Sequence, residues 1–544
     1  MRKLGLPASG GGGAPGAGPP RRPRPPPARA PGAPAFLVTA EEGFPAFERL
    51  FLGARRNVRM GFRIFDPRTP LYSAEGLAVG RDWFDLLVHT LARGVDVDLV
   101  LADFDPVVAS PTHRLTWRSI RILLAAEEVA RASAGDVAGR LDVSAALHPA
   151  RVAAGPRAFL YRRILGELHE RARDLAALGE RQLDRALSEM PGLAPWLASA
   201  KDALAPRRWP IPPLVPATHH QKMAVFDRET LYIGGLDLDE RRFDTWSHDR
   251  PGPDTWHDVQ AVVHGPAAAE ADDHLQRFLD ECARRAPVMP CRHLLRTLSR
   301  KRRVQGLSMS PEPVVSEIAD LHAREIGRAR GLIYLETQFL RDRAIARALV
   351  EAARRDPGLT CILILPAAPE EVAFQDRRKL DMRYGEHLQA RCVRRVRRAF
   401  GSRLFVGSPA RPMAAGQADG RDALFGAPII YVHAKVSIFG DAAASVSSAN
   451  LNGRSMRWDT ETGVAFRDPA DVRHLRERCM RHWLPDDPPA ECLDPSTAAA
   501  AWTALANRNA SLPPAERQGF LLPHPVTPAE RFGRPVPGVP EEMV

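Results

Sequence analysis

The chain is poor in lysine. Of its 544 residues 76 are cationic, yet only six are lysine (Lys3, Lys201, Lys222, Lys301, Lys379 and Lys435) and the other 70 are arginine. It is also poor in cysteine. Cys282, Cys291, Cys361, Cys392, Cys479 and Cys492 lie singly, with no CxxC pair. That argues against a zinc finger or a dense disulfide framework, and a reducing compartment is the default expectation. No apolar run reaches the roughly 18 residues of a membrane span. The N-terminus is basic but lacks the apolar stretch of a secretory signal. The expected location is therefore cytoplasmic or peripheral to a membrane. Net positive charge is modest beyond the first 35 residues as well. The net charge is +11, and Arg2, Lys3, Arg21, Arg22, Arg24 and Arg29 supply six of it with no acid among them. The remaining five are few for a nucleic-acid binder, so no nucleic-acid partner is expected. They are compatible with an anionic lipid surface.

What is present is a repeated pattern. Two of the six lysines stand two residues after a histidine, in His220-Gln221-Lys222 and His433-Ala434-Lys435. Chance would give well under one such pair in a chain of this composition. Residues i and i+2 of a strand share a face, so each pair sets an imidazole beside an ammonium. The flanking elements repeat too. In each half the pattern reads helix, strand, helix, strand, insertion, His-Lys strand, small-residue turn, strand, helix, which marks an internal duplication. The expected fold is α/β: two homologous lobes, each a mixed sheet flanked by helices, related by a pseudo-twofold axis.

The expected organisation runs as follows. Residues 1–35 form a disordered Pro/Gly/Arg-rich tail. The first lobe spans 36–290, with a helical insertion at about 114–207 where apolar residues recur near every 3.6 positions. A basic linker covers 291–312 around Arg300-Lys301-Arg302-Arg303, the second lobe 313–485, and an irregular proline-rich segment 486–544.

Two imidazoles meeting at a pseudo-twofold interface can share a phosphodiester. One attacks phosphorus and becomes a covalent phosphohistidine. The other protonates the leaving oxygen, then activates water or an alcohol. Histidine suits both tasks because its ordinary pKa is about 6.5. Lys222 and Lys435 would neutralise the phosphoryl oxygens. No Asp/Glu/His cluster with metal-ligand spacing surrounds either motif, so no metal or other cofactor is expected.

The chain resembles the phospholipase D superfamily, whose signature H-x-K-x4-D occurs twice, and most resembles bacterial phospholipase D-like enzymes. His220, Lys222 and Asp227 match the first copy, preceded by His219 as in phospholipases D. His433 and Lys435 match the second, but Gly440 stands where aspartate is expected and Asp441 comes one residue late. Ser447-Ser448-Ala449-Asn450-Leu451-Asn452-Gly453-Arg454-Ser455 resembles the family's G-S-A-N-x-N-x-R-S segment. By that resemblance Ser448 and Asn450 join Lys222 and Lys435 in holding phosphate. In the first half Gly234-Gly235-Leu236-Asp237 replaces G-S-x-N. The resemblance also implies crossed partners, with Glu461 orienting His220 and Asp258 orienting His433. It assigns the nucleophile to His220, as the intact Asp227 motif also suggests.

The expected activity is that of a phosphoric diester hydrolase of phospholipase D type. It would hydrolyse phospholipids such as phosphatidylcholine to phosphatidic acid, or transfer the phosphatidyl group to another alcohol. The expected partner is a phospholipid membrane surface, with no obligate protein partner and a monomeric state. The alternatives are a nuclease or other phosphodiesterase of the same superfamily, a cardiolipin-synthase-like phosphatidyltransferase, and a non-catalytic protein binding a phosphorylated ligand.

Overall fold

The structure, a computed structural model, describes residues 32–200, 203–375, 379–417 and 420–544. The expectation of a disordered tail therefore lies almost wholly outside the described residues.

Two mixed sheets dominate. The first is built from β1 (Ala35–Val38), β2 (Asn57–Phe62), β3 (Asp96–Asp103), β4 (Leu141–Leu147), β5 (Met223–Phe226), β6 (Thr230–Gly234) and β7 (Val259–His264). Its order is β1-β7-β6-β5-β2-β3-β4. The second contains β8 (Leu294–Arg300), β9 (Glu312–Ser316), β10 (Leu332–Thr337), β11 (Thr360–Ile364), β12 (Leu404–Pro409), β13 (Lys435–Phe439), β14 (Ala443–Ser447), β15 (Glu461–Phe466) and β16 (Leu521–Pro523). Its order is β9-β8-β15-β14-β13-β10-β11-β12-β16. With the edge strands β9 and β16 removed, the two orders correspond strand for strand. The senses correspond as well. β2/β3/β4 and β10/β11/β12 are parallel runs, and the neighbours on the other side are antiparallel. The fold is α/β, with two lobes of one topology.

The strands are apolar on both faces because both faces are covered. Met223 and Val225 of β5, with Leu231 and Ile233 of β6, join Leu332, Tyr334, Val436 and Ile438 of the second sheet in one core shared by the lobes. The helices Pro266–Cys282 and Pro469–Trp483 contribute Leu275, Phe278, Leu475 and Trp483 to it. The alternate residues point outward. Ala224 and Phe226 pack under the helices Ala40–Gly53 and Trp83–Ala92. Ile333, Leu335 and Phe439 pack under Arg343–Arg355 and Leu380–Phe400. The period-2 alternation of strands thus divides the apolar residues between an inner and an outer core.

Three expected segments differ. The stretch 114–207 is not wholly helical. It holds helices Ser110–Ala134, Tyr161–Ala176 and Glu180–Ser188, but also β4 and a ribbon of Leu197–Ala200 with Ala203–Pro206. The β4 sequence, Leu-Asp-Val-Ser-Ala-Ala-Leu, has weak strand propensity and becomes a strand through parallel pairing with β3. The stretch 291–312 is not a plain linker, because it contains β8, which pairs with β15 and β9. Its buried Arg296 is neutralised by Glu317 at 3.0 Å, so a basic pattern folds into a sheet. The segment 486–544 is not irregular throughout. The alanine run before Trp502 forms the helix Ala498–Ser511, and Leu521–Pro523 extends the second sheet. Its prolines cluster outside those elements.

The two His-Lys strands end differently. Asp227 N donates to Asn57 O at 2.9 Å, and its carboxylate accepts from the backbone N–H groups of Arg55, Arg56 and Asn57 at 2.7–3.0 Å. At the matching point Gly440 N donates to Leu332 O at 2.8 Å. Gly440 has φ +61°, and a Cβ there would sit 2.6 Å from Arg330 O. The second loop runs too close for an aspartate, which explains the departure from the motif. Asp227→Ala should lose about 1 kcal/mol of stability by removing three hydrogen bonds to backbone N–H groups, of which only that of Asn57 is part-buried. Gly440→Ala should lose about 1–3 kcal/mol through strain and contact. Denaturant unfolding reads both, and a neutral Gly440→Ala would contradict the close approach.

Candidate active site

His220 and His433 lie where the lobes meet, and backbone pairing delivers them there. His219 forms a parallel bridge with Thr460, and His257 another with Val432. Thr460 N donates to Thr218 O, and His220 N to Thr460 O at 2.8 Å. His257 N donates to Tyr431 O, and His433 N to His257 O at 2.8 Å. The chain leading into each histidine is thus laced to the chain leading into a carboxylate of the opposite lobe. Glu461 follows Thr460, and Asp258 follows His257.

The side chains complete the crossing. His220 Nδ1 lies 2.9 and 3.1 Å from the two oxygens of Glu461. His433 Nδ1 lies 2.6 Å from Asp258 Oδ2. Each carboxylate accepts from Nδ1–H and leaves Nε2 as the reactive nitrogen. Lys222 Nζ donates to His220 O at 2.6 Å, and Lys435 Nζ donates to His433 O. The structure thus brings His220, Lys222, His433, Lys435, Asp258 and Glu461 together. It does not bring Asp227, which braces backbone at the far end of β5.

The remaining candidates are adjacent. Ser448 Oγ donates to Glu461 and accepts from Thr462 N at 3.1 Å, so its hydroxyl positions the carboxylate. Asn450 is buried, and its Oδ1 has no hydrogen-bond partner among the described residues. The half-sites are not copies of each other. Gly235 occupies the place of Ser448, and a Cβ on it would sit 2.2 Å from Asp258 Oδ1. The shorter acid Asp258 fills the space that a serine takes beside Glu461. Asp237 occupies the place of Asn450, since Leu238 and Leu451 make equivalent bridges to Phe65 and Leu340. Asp237 accepts from Ile64 N at 2.9 Å and faces Arg63 at 3.9 Å.

Burial sets the electrostatics. It pushes Asp258 up to about 6 and Glu461 up to about 7, against the pull of the lysines. Burial, aided by the neighbouring ammonium groups, holds both imidazoles well below their ordinary value. They are neutral at rest, as a nucleophile must be. Burial also lowers Lys222, and takes Lys435 down to about 7. The site gathers two lysines and two imidazoles around two buried acids.

Sequence reasoning missed two arginines that act on this pocket. Arg63 disfavours protonation of His220. Arg242 does the same to His433 and lies 3.5 Å over the ring of Trp256, which packs against His433 at 4.8 Å. In a chain with 70 arginines no local pattern singles them out. His219 and Gln221 prove to be packing residues. His219 Nδ1 meets Thr460 Oγ1 at 2.7 Å, and Gln221 Oε1 meets His274 Nε2 at 2.8 Å.

A family model described as "Cardiolipin synthase, PLD-like domain" matches residues 323–483, a span that holds His433, Lys435, Ser448, Asn450 and Glu461. Residues 323–483 place the second lobe in the phospholipase D superfamily. Its members are generally phosphodiesterases or phosphatidyltransferases. Phospholipase D A of Dictyostelium discoideum is 23% identical over 332 residues, which cover 48% of this chain and 25% of that protein. The chain therefore aligns with only a quarter of that relative's length. Among solved structures, phosphatidylserine synthase of Haemophilus influenzae Rd KW20 is 12% identical with a TM-score of 0.45, covering 82% of this chain and 85% of that one. Polyphosphate kinase from Porphyromonas gingivalis is 13% identical with a TM-score of 0.40, covering 82% and 46%.

Anion binding should therefore weaken as pH rises. Lys435 loses its proton through about pH 7, and Glu461 gains negative charge over the same range. Both changes oppose an anion. Tungstate affinity, measured by calorimetry, should fall roughly tenfold or more between pH 6.5 and 8.5. Lys435→Met should flatten the profile. An affinity that holds level or rises would refute the assignment of the lysine to the anion.

Proposed function

We propose that the protein is a phospholipase D-type enzyme that cleaves the head-group phosphodiester of membrane phospholipids through a phosphohistidine. The observation that supports this best is the reciprocal pairing of His220 with Glu461 and His433 with Asp258. His220 Nε2 attacks phosphorus. Lys222, Lys435 and Asn450 hold the phosphoryl oxygens as charge moves onto them. His433 gives its proton to the leaving alcohol, then takes one from the incoming water. When the phosphodiester anion enters, it favours the imidazolium form that His433 needs as an acid. Asp258, raised to about 6, lies in the range where the pair can share that proton.

The same intermediate permits transfer in place of hydrolysis if an alcohol reaches it before water. The cardiolipin synthase description of the matching family model favours testing this. Incubation with phosphatidylcholine and phosphatidylethanolamine vesicles, with and without added glycerol, separates free phosphatidic acid from phosphatidylglycerol. With a substrate whose leaving group needs no protonation, His433→Ala should still form a phospho-enzyme and His220→Ala should not. Turnover of the natural diester should fall at least about a thousandfold in each. An adduct mapped to the His433 peptide would exchange the two roles.

A membrane surface as the source of substrate accords with the insertion. Phe159 and Trp209 are 89% and 76% exposed. The Tyr161 hydroxyl donates to Arg208 O at 3.1 Å and so draws their segments together. The insertion is tied to the segment at 379–381 by Lys379–Glu167 at 2.8 Å and Arg163–Asp381 at 3.8 Å. Aromatic groups flanked by Arg162, Arg207 and Arg208 suit an interface of apolar chains and anionic head groups. Replacing Phe159 and Trp209 together by serine should lower turnover on vesicles several-fold. Turnover of a short-chain, monomeric phospholipid should stay the same. Equal losses on both substrates would remove the insertion from lipid docking.

A further inference from the structure

Three histidine rings converge outside the catalytic groups. His248 sits in the loop after Asp244, in the left-handed region at φ +52°, which turns it inward. His257 precedes β7, and His482 lies in the last turn of Pro469–Trp483. All three are fully buried, and their ligand atoms lie within 4.8 Å of one another.

Carboxylates fix two of the rings. His248 Nδ1 lies 2.6 Å from Asp244 Oδ2, and His257 Nε2 lies 3.0 Å from Glu336 Oε2. Both acids are themselves held: Asp244 by Trp256 N at 2.7 Å, and Glu336 by Trp483 Nε1 at 2.8 Å and the Tyr334 hydroxyl. A carboxylate accepts, so the ring protons belong on His248 Nδ1 and His257 Nε2. That leaves lone pairs on His248 Nε2 and His257 Nδ1. His248 Nε2 faces His482 Nε2 at 2.8 Å. His257 Nδ1 has no hydrogen-bond partner among the described residues.

A purely hydrogen-bonded trio does not satisfy these groups. The His482 N–H can serve His248, but His257 Nδ1 stays a bare acceptor in a fully buried place. A cation in place of the shared proton satisfies all three nitrogens. Metal-ligating histidines characteristically hand their other nitrogen to a carboxylate, as His248 and His257 do. The spacing agrees. Three imidazoles around a tetrahedral ion with bonds of about 2.0–2.1 Å have ring centres roughly 5 Å apart. The centres here are 4.9, 5.8 and 4.6 Å apart.

We propose that His248, His257 and His482 bind one divalent transition-metal ion of zinc type, as a structural staple between the lobes. Two ligands come from the first lobe and one from the second. His257 directly precedes Asp258, so the ion would fix the strand start that orients His433. It takes no part at the phosphate, and the assignment stands independently of the reaction proposed above. In sequence the ligands are 9 and 225 residues apart, which is why their spacing carries no metal signature.

The test uses the full chain without a histidine tag, produced with zinc in the medium. Mass spectrometry should find about one zinc per chain after dialysis. Chelator treatment should lower the melting temperature, and added Zn2+ should restore it. Cobalt substituted for zinc should give the visible absorption of a tetrahedral imidazole site, lost on adding one equivalent of Zn2+. His482→Gln, checked for folding by circular dichroism, should lose both the metal and the cobalt band. If that variant does not fold, the wild-type metal content and cobalt spectrum decide alone. Absence of stoichiometric metal and of a cobalt band in folded wild-type protein would overturn the proposal. So would retention of the metal by a folded His482→Gln variant.

Discussion

The site depends on two short backbone ladders that cross between the lobes. Residues 218–220 pair with Thr460, and residues 431–433 with His257. Each ladder sets a histidine within reach of a carboxylate from the other half of the chain. The side-chain bonds from Nδ1 are what chemistry would use, but they follow from main-chain hydrogen bonds. Directional main-chain bonds inside a shared apolar core define position far better than a pair of long side chains could. The shared core supplies the low dielectric, and that same burial displaces the pKa values of both acids and of Lys435.

Duplication built the site, yet its halves have diverged together. Where the second half has the longer acid Glu461, a serine hydroxyl supports it. Where the first half has the shorter Asp258, glycine leaves room for it. Asp237 stands opposite Asn450 in the topology and faces Arg63, whereas the Asn450 carbonyl oxygen has no hydrogen-bond partner among the described residues. At this position one half of the pocket carries an ion pair and the other a neutral amide. The asymmetry gives a phosphodiester two distinguishable sides, which two exact copies could not.

Much of this was legible in the sequence. The His-x-Lys pairs, the repeated element order and the family resemblance named the six groups that the structure brings together. They also named Asp227, whose carboxylate instead braces the backbone of residues 55–57. What stayed hidden has physical reasons. β4 is made of residues without a strong strand preference, and parallel pairing with β3 decides its state. β8 lay hidden in an expected linker because Arg300-Lys301-Arg302-Arg303 reads as surface charge, whereas Arg300 pairs with Glu312 and the buried Arg296 with Glu317. Arg63 and Arg242 could not be told from dozens of other arginines, because only the fold reveals which of them lie beside a histidine. The buried histidine trio was invisible for the same reason.

The crossed carboxylates also govern when the site comes into being. His220 and Glu461 are 241 positions apart, and His433 and Asp258 are 175. Contacts of such range form late, because the loop entropy for closing them must be met before they stabilise anything. A first lobe that has left the ribosome and folded holds a histidine without its acid and an acid without its histidine. Under the reaction proposed above, reactivity would then arise only when the second lobe docks, because neither half-site is complete alone.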